Sequence, residues 1–119
     1  MSESRRYLGS CHCGNVKYEV TADLAKVMEC NCSHCYRKGL LLKFVPSQSF
    51  TLLKGEDVLG EYRFNKHVIQ HLFCKTCGVQ SFARGKGHEG SEMIAVNVRC
   101  LEGVDLGSLA IAQFDGRAI

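Results

Sequence analysis

Apolar and polar residues alternate along this chain in short runs separated by glycines. In NVKYEV (residues 15–20), Val16, Tyr18 and Val20 alternate with Asn15, Lys17 and Glu19, the period-two pattern of a half-buried strand. LLLKFV (40–45), SFTLL (49–53), EYRF (61–64), HVIQHLF (67–73), VQSFA (79–83) and EMIAVNV (92–98) also read as extended. Gly39, Gly55, Gly60 and Gly78 punctuate these runs, followed by a loop with Gly85, Gly87 and Gly90. Only SHCYRKG (33–39) suggests a helical turn, with Ser33 as N-cap and Gly39 as its stop. The pattern predicts a mainly β, antiparallel chain of eight or nine short strands.

Composition narrows the class. A length of 119 residues fits one domain over 1–119, with a core modest enough that metal staples help. No apolar run approaches membrane-spanning length, so no membrane partner is expected. The opening MSESRRYLGS has no apolar stretch behind its arginines, which argues against a secretory signal and for the cytoplasm. Net charge is +3, and no basic stripe interleaved with aromatics is visible. Nucleic acid is therefore set aside, while a small anionic ligand suits the balance.

Eight cysteines change the picture most. In a reducing compartment, clustered thiols are better explained as metal ligands than as disulfides. GSCHCGN supplies Cys11 and Cys13, and LFCKTCGVQ supplies Cys74 and Cys77. The Cys-x-x-Cys-Gly element has the form of a zinc knuckle, with Gly78 free to take the positive φ such a turn requires, as Gly14 is after Cys13. Four thiolates make a closed tetrahedral site that contributes folding energy. The other reading, a redox dithiol in CKTC, normally opens a helix, whereas strand-like VQSFA follows here.

MECNCSHCYRKG (28–39) holds a second group. Cys30 and Cys32, two apart, share one side of an extended segment, and Cys35 folds back from the next turn. Three ligands with a fourth position open are the pattern of catalytic zinc sites. Closure by His34, another histidine or a carboxylate is the alternative, although His34 beside Cys35 is expected to point elsewhere. His67 and His71 are four apart, roughly 13 Å along a strand, and do not chelate one ion there. His12 is expected to point away from its flanking thiols. Cys100 reads as a small apolar residue.

GSCHCGNVKYEV, CNCSHC, FCKTCG and VNVRCLEGVD, in this order and spacing, resemble the glutathione-dependent formaldehyde-activating enzyme family, which shares its domain with centromere protein V. The resemblance runs from about Leu8 to Asp105. It implies an Mss4-like β-tent and two zinc ions. One would be structural on Cys11, Cys13, Cys74 and Cys77, the other catalytic on Cys30, Cys32 and Cys35. The implied partners are glutathione, or a similar small thiol, and an aldehyde. The implied reaction condenses formaldehyde with glutathione to S-hydroxymethylglutathione, formally carbon–sulfur lyase chemistry. Members bearing that name are generally longer than this chain.

Physical chemistry agrees with a thiol reaction. Zinc with three thiolates is a poorer Lewis acid than zinc on neutral histidines, and accepts a soft sulfur more readily than it makes hydroxide. Arg37, Lys38 and Arg84 are candidates to hold an anionic peptide's carboxylates, against a plain surface role for each. Because thiols add to formaldehyde unaided, a non-catalytic thiol- or metal-binding module, or a protein-interaction β-tent, is the competing expectation.

Overall fold

The computed structural model describes residues 4–63, 69–86 and 90–115. Ten strands are formed among these residues: β1 (Arg5–Ser10), β2 (Lys17–Ala22), β3 (Lys26–Cys30), β4 (Leu42–Pro46), β5 (Phe50–Lys54), β6 (Leu59–Tyr62), β7 (Gln70–Cys74), β8 (Gln80–Lys86), β9 (Glu92–Asn97) and β10 (Ala110–Phe114). The single α-helix among the described residues, α1, spans Ser33–Lys38. The strands form a three-stranded sheet, β1-β2-β5, and a seven-stranded sheet, β10-β3-β4-β9-β8-β7-β6. This mainly β architecture, with its cysteine clusters, fits the Mss4-like β-tent.

The alternation in β2 becomes the inner face of the smaller sheet. Val16 before it, and Tyr18 and Val20 within it, are essentially fully buried against Leu72, Phe82, Ile94 and Val96 of the larger sheet. Tyr18 stacks on Phe50 with ring centroids 5.1 Å apart and meets Phe82 edge-on at 5.7 Å. Its hydroxyl donates to the Ser81 carbonyl at 3.3 Å, satisfying the polar end of a buried ring. Opposite it, on β1, a Cβ at Gly9 would lie 2.3 Å from the Tyr18 ring carbon Cζ, so that position admits only glycine without a shift.

The opposite face of the large sheet carries a cross-strand row, Tyr62–His71–Ala83–Ala95–Phe44, read through direct pairings across five strands. Large side chains flank two alanines in that row. Ala83 and Ala95 pack with Leu40, Leu42, Cys30 and Cys35, so the segment bearing α1 is seated on a floor of methyl groups.

Three strands escaped the sequence pattern: β1, β3 and β10. The count of ten exceeds the eight or nine expected, and β10 runs parallel to β3, whereas the other paired strands are antiparallel. The helix is found where expected, with Gly39 at φ +64° as its C-cap, but its N-cap is Cys32, not Ser33. The cysteine sulfur accepts the Cys35 N–H and so performs the capping role expected of the serine hydroxyl. His67 lies outside the described residues.

Candidate functional site

Two turns of the same construction bring the first thiol group together. The Cys11 N–H donates to the Val16 carbonyl at 3.1 Å, and the Cys74 N–H donates to the Val79 carbonyl at 3.0 Å. Each therefore closes over five residues onto a buried or half-buried valine. Gly14 and Gly78 both adopt positive φ, +84° and +83°, as the knuckle reading required. The Cys11 and Cys13 sulfurs are 3.7 Å apart, as are those of Cys13 and Cys74. All four sulfurs, including Cys77, lie within 4.8 Å of one another. A tetrahedron of about 2.3 Å metal–sulfur bonds has edges of about 3.8 Å, so this group fits zinc with little rearrangement.

Backbone donors prepare Cys74 and Cys77 for charge, whereas at Cys13 the Asn15 N–H is outweighed by burial and the neighbouring thiols, which push it up to about 11. The Val16 N–H reaches Cys11 Sγ at 3.3 Å. The Val79 N–H, followed by that of Cys13, pulls the Cys77 thiol down to about 6. The Cys77 N–H likewise lowers the Cys74 thiol, with Thr76 adding to it against the opposing effect of burial. Hydrogen bonds to the charged form favour thiolate, the form a metal takes.

The second group is built around the N-terminus of α1. Cys30 ends β3, Cys32 caps the helix, and Cys35 lies in the helix facing inward. The Cys32 N–H reaches Cys30 Sγ at 3.5 Å, and the Cys35 N–H reaches Cys32 Sγ at 3.3 Å. The three sulfurs lie within 4.8 Å of one another, and among the described residues no histidine or carboxylate joins them. Burial pushes the Cys30 and Cys35 thiols up. At Cys32 burial is the largest single influence and pushes the thiol up, but the N–H groups of Cys35 and His34 and the neighbouring Cys35 and Cys30 thiols together outweigh it, and the thiol comes down. Three crowded sulfurs resist sharing negative charge unless a cation compensates it, so this donor set also fits a soft divalent ion. Both groups can hold a metal ion.

The remaining candidates are dispersed. His34 turns from the sulfurs, meets His71 at a tilt of 48° with centroids 4.2 Å apart, and stacks with Tyr62 at 5.8 Å. His12 is exposed. Cys100 is half-buried in a 3₁₀ turn and belongs to neither group. Arg37 donates to the Ser33 carbonyl of its own helix at 3.1 Å. Lys38 reaches Gln80 Oε1 at 3.0 Å and sits over the Phe73 ring. Arg84 sits over Phe82, on the side of β8 opposite to Ala83 and hence away from the three thiols.

A cavity of about 190 Å³ opens beside Cys30 and Cys35. Its lining includes Glu29, Asn31, Tyr36 and Gln113, and none of Arg37, Lys38 and Arg84. Sequence reasoning missed these neighbours because Gln113 arrives on β10, a strand without alternation. The one available signal was the position of Glu29 and Asn31 on either side of Cys30.

The family model for the glutathione-dependent formaldehyde-activating enzyme matches residues 6–111, nearly the whole chain. The chain belongs to this family. Among solved structures, a Rhodobacter sphaeroides protein is similar, with a TM-score of 0.76 and 31% sequence identity, over 91% of this chain and 100% of that one. Membership in the formaldehyde-activating family, together with the two cysteine groups, fits a zinc-binding, glutathione-related function. Among the described residues no helix is long and apolar enough to cross a membrane.

Proposed function

We propose that the chain is a zinc-dependent carbon–sulfur lyase that joins a small thiol, glutathione or a similar one, to formaldehyde or a related aldehyde. The carrying observation is the contrast between the two groups, one of four sulfurs and one of three beside a cavity. Cys11, Cys13, Cys74 and Cys77 would hold a structural zinc, and Cys30, Cys32 and Cys35 a second, catalytic one. When bound, zinc in the three-sulfur group supplies an open position that suits a soft sulfur and lowers the pKa of an entering thiol.

The chain's own residues do the rest. The N–H groups of Cys32 and Cys35 fix two of the sulfurs and share their charge. Leu40, Leu42, Ala83 and Ala95 back the group with apolar surface and keep water from that side. In the reaction the thiol loses its proton and a sulfur–carbon bond forms as the carbonyl π bond opens. A proton then ends on the former carbonyl oxygen. The addition is redox-neutral, and its reversal returns thiol and aldehyde. A reducing cytoplasm, where clustered thiols persist, suits such a site.

The test compares adduct formation and breakdown for the wild type and Cys32→Ser against the spontaneous background. Loss of acceleration in the variant is expected. Equal rates in the two proteins would overturn the catalytic role and leave a thiol- or metal-binding module.

A further inference from the structure

Of the three basic candidates, Arg37, Lys38 and Arg84, only Lys38 stands beside a thiol of the three-sulfur group. It follows Cys35 by three residues on α1, a spacing that makes the two neighbours on the helix surface with Cβ atoms about 5–6 Å apart. Tyr36 and Gly39 fall on the other flank of Cys35 and line the cavity, so Cys35 lies between the cavity and Lys38. The charge of Lys38 acts on Cys35 and on the His34 and His71 rings. Arg37, by contrast, bonds the Ser33 carbonyl on the far side of the helix, and Arg84 lies across β8 from Ala83.

The ammonium is held in place but not neutralised. Nζ donates to Gln80 Oε1 at 3.0 Å and lies 5.7 Å from the centre of the Phe73 ring. Gln80 is buried, and its own carbonyl accepts Asn97 Nδ2 at 3.0 Å, so the amide that aims the ammonium is fixed. Among the described residues no carboxylate forms an ion pair with Lys38. An ammonium has three donors, and Gln80 takes one. Partial burial lowers its pKa, with Cys35 opposing that, and an arriving anion would offset the lost hydration. The side chain is exposed enough to be reached from solvent.

We propose that Lys38 is the specificity-determining residue for glutathione, its ammonium pairing with the glycyl carboxylate while the sulfur lies at Cys30, Cys32 and Cys35. This rests on the three-sulfur group being the thiol site. Glutathione has two carboxylates, and the chemistry favours the glycyl one. It is the nearer to the sulfur along the tripeptide, which suits a cation one helical turn from Cys35. It also has no ammonium beside it, whereas the γ-glutamyl carboxylate shares its carbon with one and is partly neutralised. Lys38 would raise the affinity for a thiol that carries this carboxylate and take no part in forming the sulfur–carbon bond.

The experiment loads the protein with Co(II) and follows its sulfur-to-metal and d–d absorption as thiols are added. The probes are glutathione, its monoethyl ester at the glycyl carboxylate, and 2-mercaptoethanol. Glutathione and the ester share one thiol environment, so their affinity ratio isolates the carboxylate. The wild type is expected to prefer glutathione over the ester by about threefold to tenfold. Lys38→Met should abolish that preference and leave the ester and 2-mercaptoethanol unchanged, while Lys38→Arg, which keeps the charge, should restore most of it. Lys38 is exposed, so both variants retain the fold. A wild type without the preference, a preference that survives in Lys38→Met, or a loss common to all three thiols would overturn the assignment while leaving the thiol site intact. If no thiol perturbs the spectrum, with Cys32→Ser as the reference for a disabled group, the thiol site fails and this inference with it.

Discussion

Cys13 Sγ and Cys74 Sγ lie 3.7 Å apart, although 61 positions separate them in the chain. A metal held between them would therefore tie the turn after β1 to the turn after β7 and close a long loop. Structural zinc in small domains contributes apparent binding energies of about 10–16 kcal/mol at neutral pH, so such a tie would be strong relative to ordinary packing.

Replacing Cys74 with serine is expected to cost on the order of 3 kcal/mol or more and to reduce the metal content from two ions per chain to one. Cys74 is fully buried and is one of the four grouped sulfurs, so the loss is chiefly that of a ligand. Thermal unfolding together with metal analysis under reducing conditions tests this. Two ions per chain in the variant would contradict it.

Cys32→Ser should behave differently. Cys32 is half-buried, and serine is itself a good N-cap, so α1 keeps its first turn. One ion is again lost, but the unfolding midpoint should move by only a few degrees. A collapse like that of Cys74→Ser would show that both groups hold the fold together.

Two glycines separate backbone strain from crowding. Nothing lies within 4 Å of a Cβ added at Gly78, so Gly78→Ala carries only the positive-φ penalty, about 1–2 kcal/mol, and should speed zinc release from its knuckle. At Gly9 the new methyl meets the buried Tyr18 ring, and Gly9→Ala should cost about 1–3 kcal/mol with metal stoichiometry unchanged. Denaturant unfolding and release of zinc to a chelator measure the two effects separately.

His71 provides a pH signature. It is 7% exposed, and burial, with the neighbouring His34 and Lys38 charges, lowers its pKa from 6.5 to about 4. The unfolded chain then takes up a proton at higher pH than the folded one. Stability is complete above about 6.5 and declines as pH falls toward 4, by about 2 kcal/mol at pH 5. Unfolding of His71→Gln compared with the wild type across this range should isolate that decline from acid release of metal. Parallel pH profiles would remove His71 as its source.

The central strands were legible because burial on one face writes itself as alternation, as in Val16, Tyr18 and Val20. The cysteine groups were legible because Cys-x-Cys, Cys-x-x-Cys and the glycines after Cys13 and Cys77 encode turn geometry locally. β1 was not, since RRYLGS has little periodicity and half of its residues are exposed. β10, AIAQF, is an edge strand whose residues are mostly exposed, and its parallel pairing with β3 depends on contacts more than eighty positions apart. The helix N-cap was misplaced by one residue because propensity favours serine, while the sulfur of Cys32 sits where the free N–H groups are.

The floor of Ala83 and Ala95 has a consequence for tuning the molecule. α1 rests on two methyl groups, so the height at which Cys35 stands above the sheet, and hence its distance from Cys30, is gauged by the smallest side chains available. A single extra carbon at either alanine, on strands that carry no thiol of that group, would raise one ligand and leave another in place. The fit of the three sulfurs to one ionic radius over another would then be set from below, by carpentry in the sheet rather than by changing a ligand.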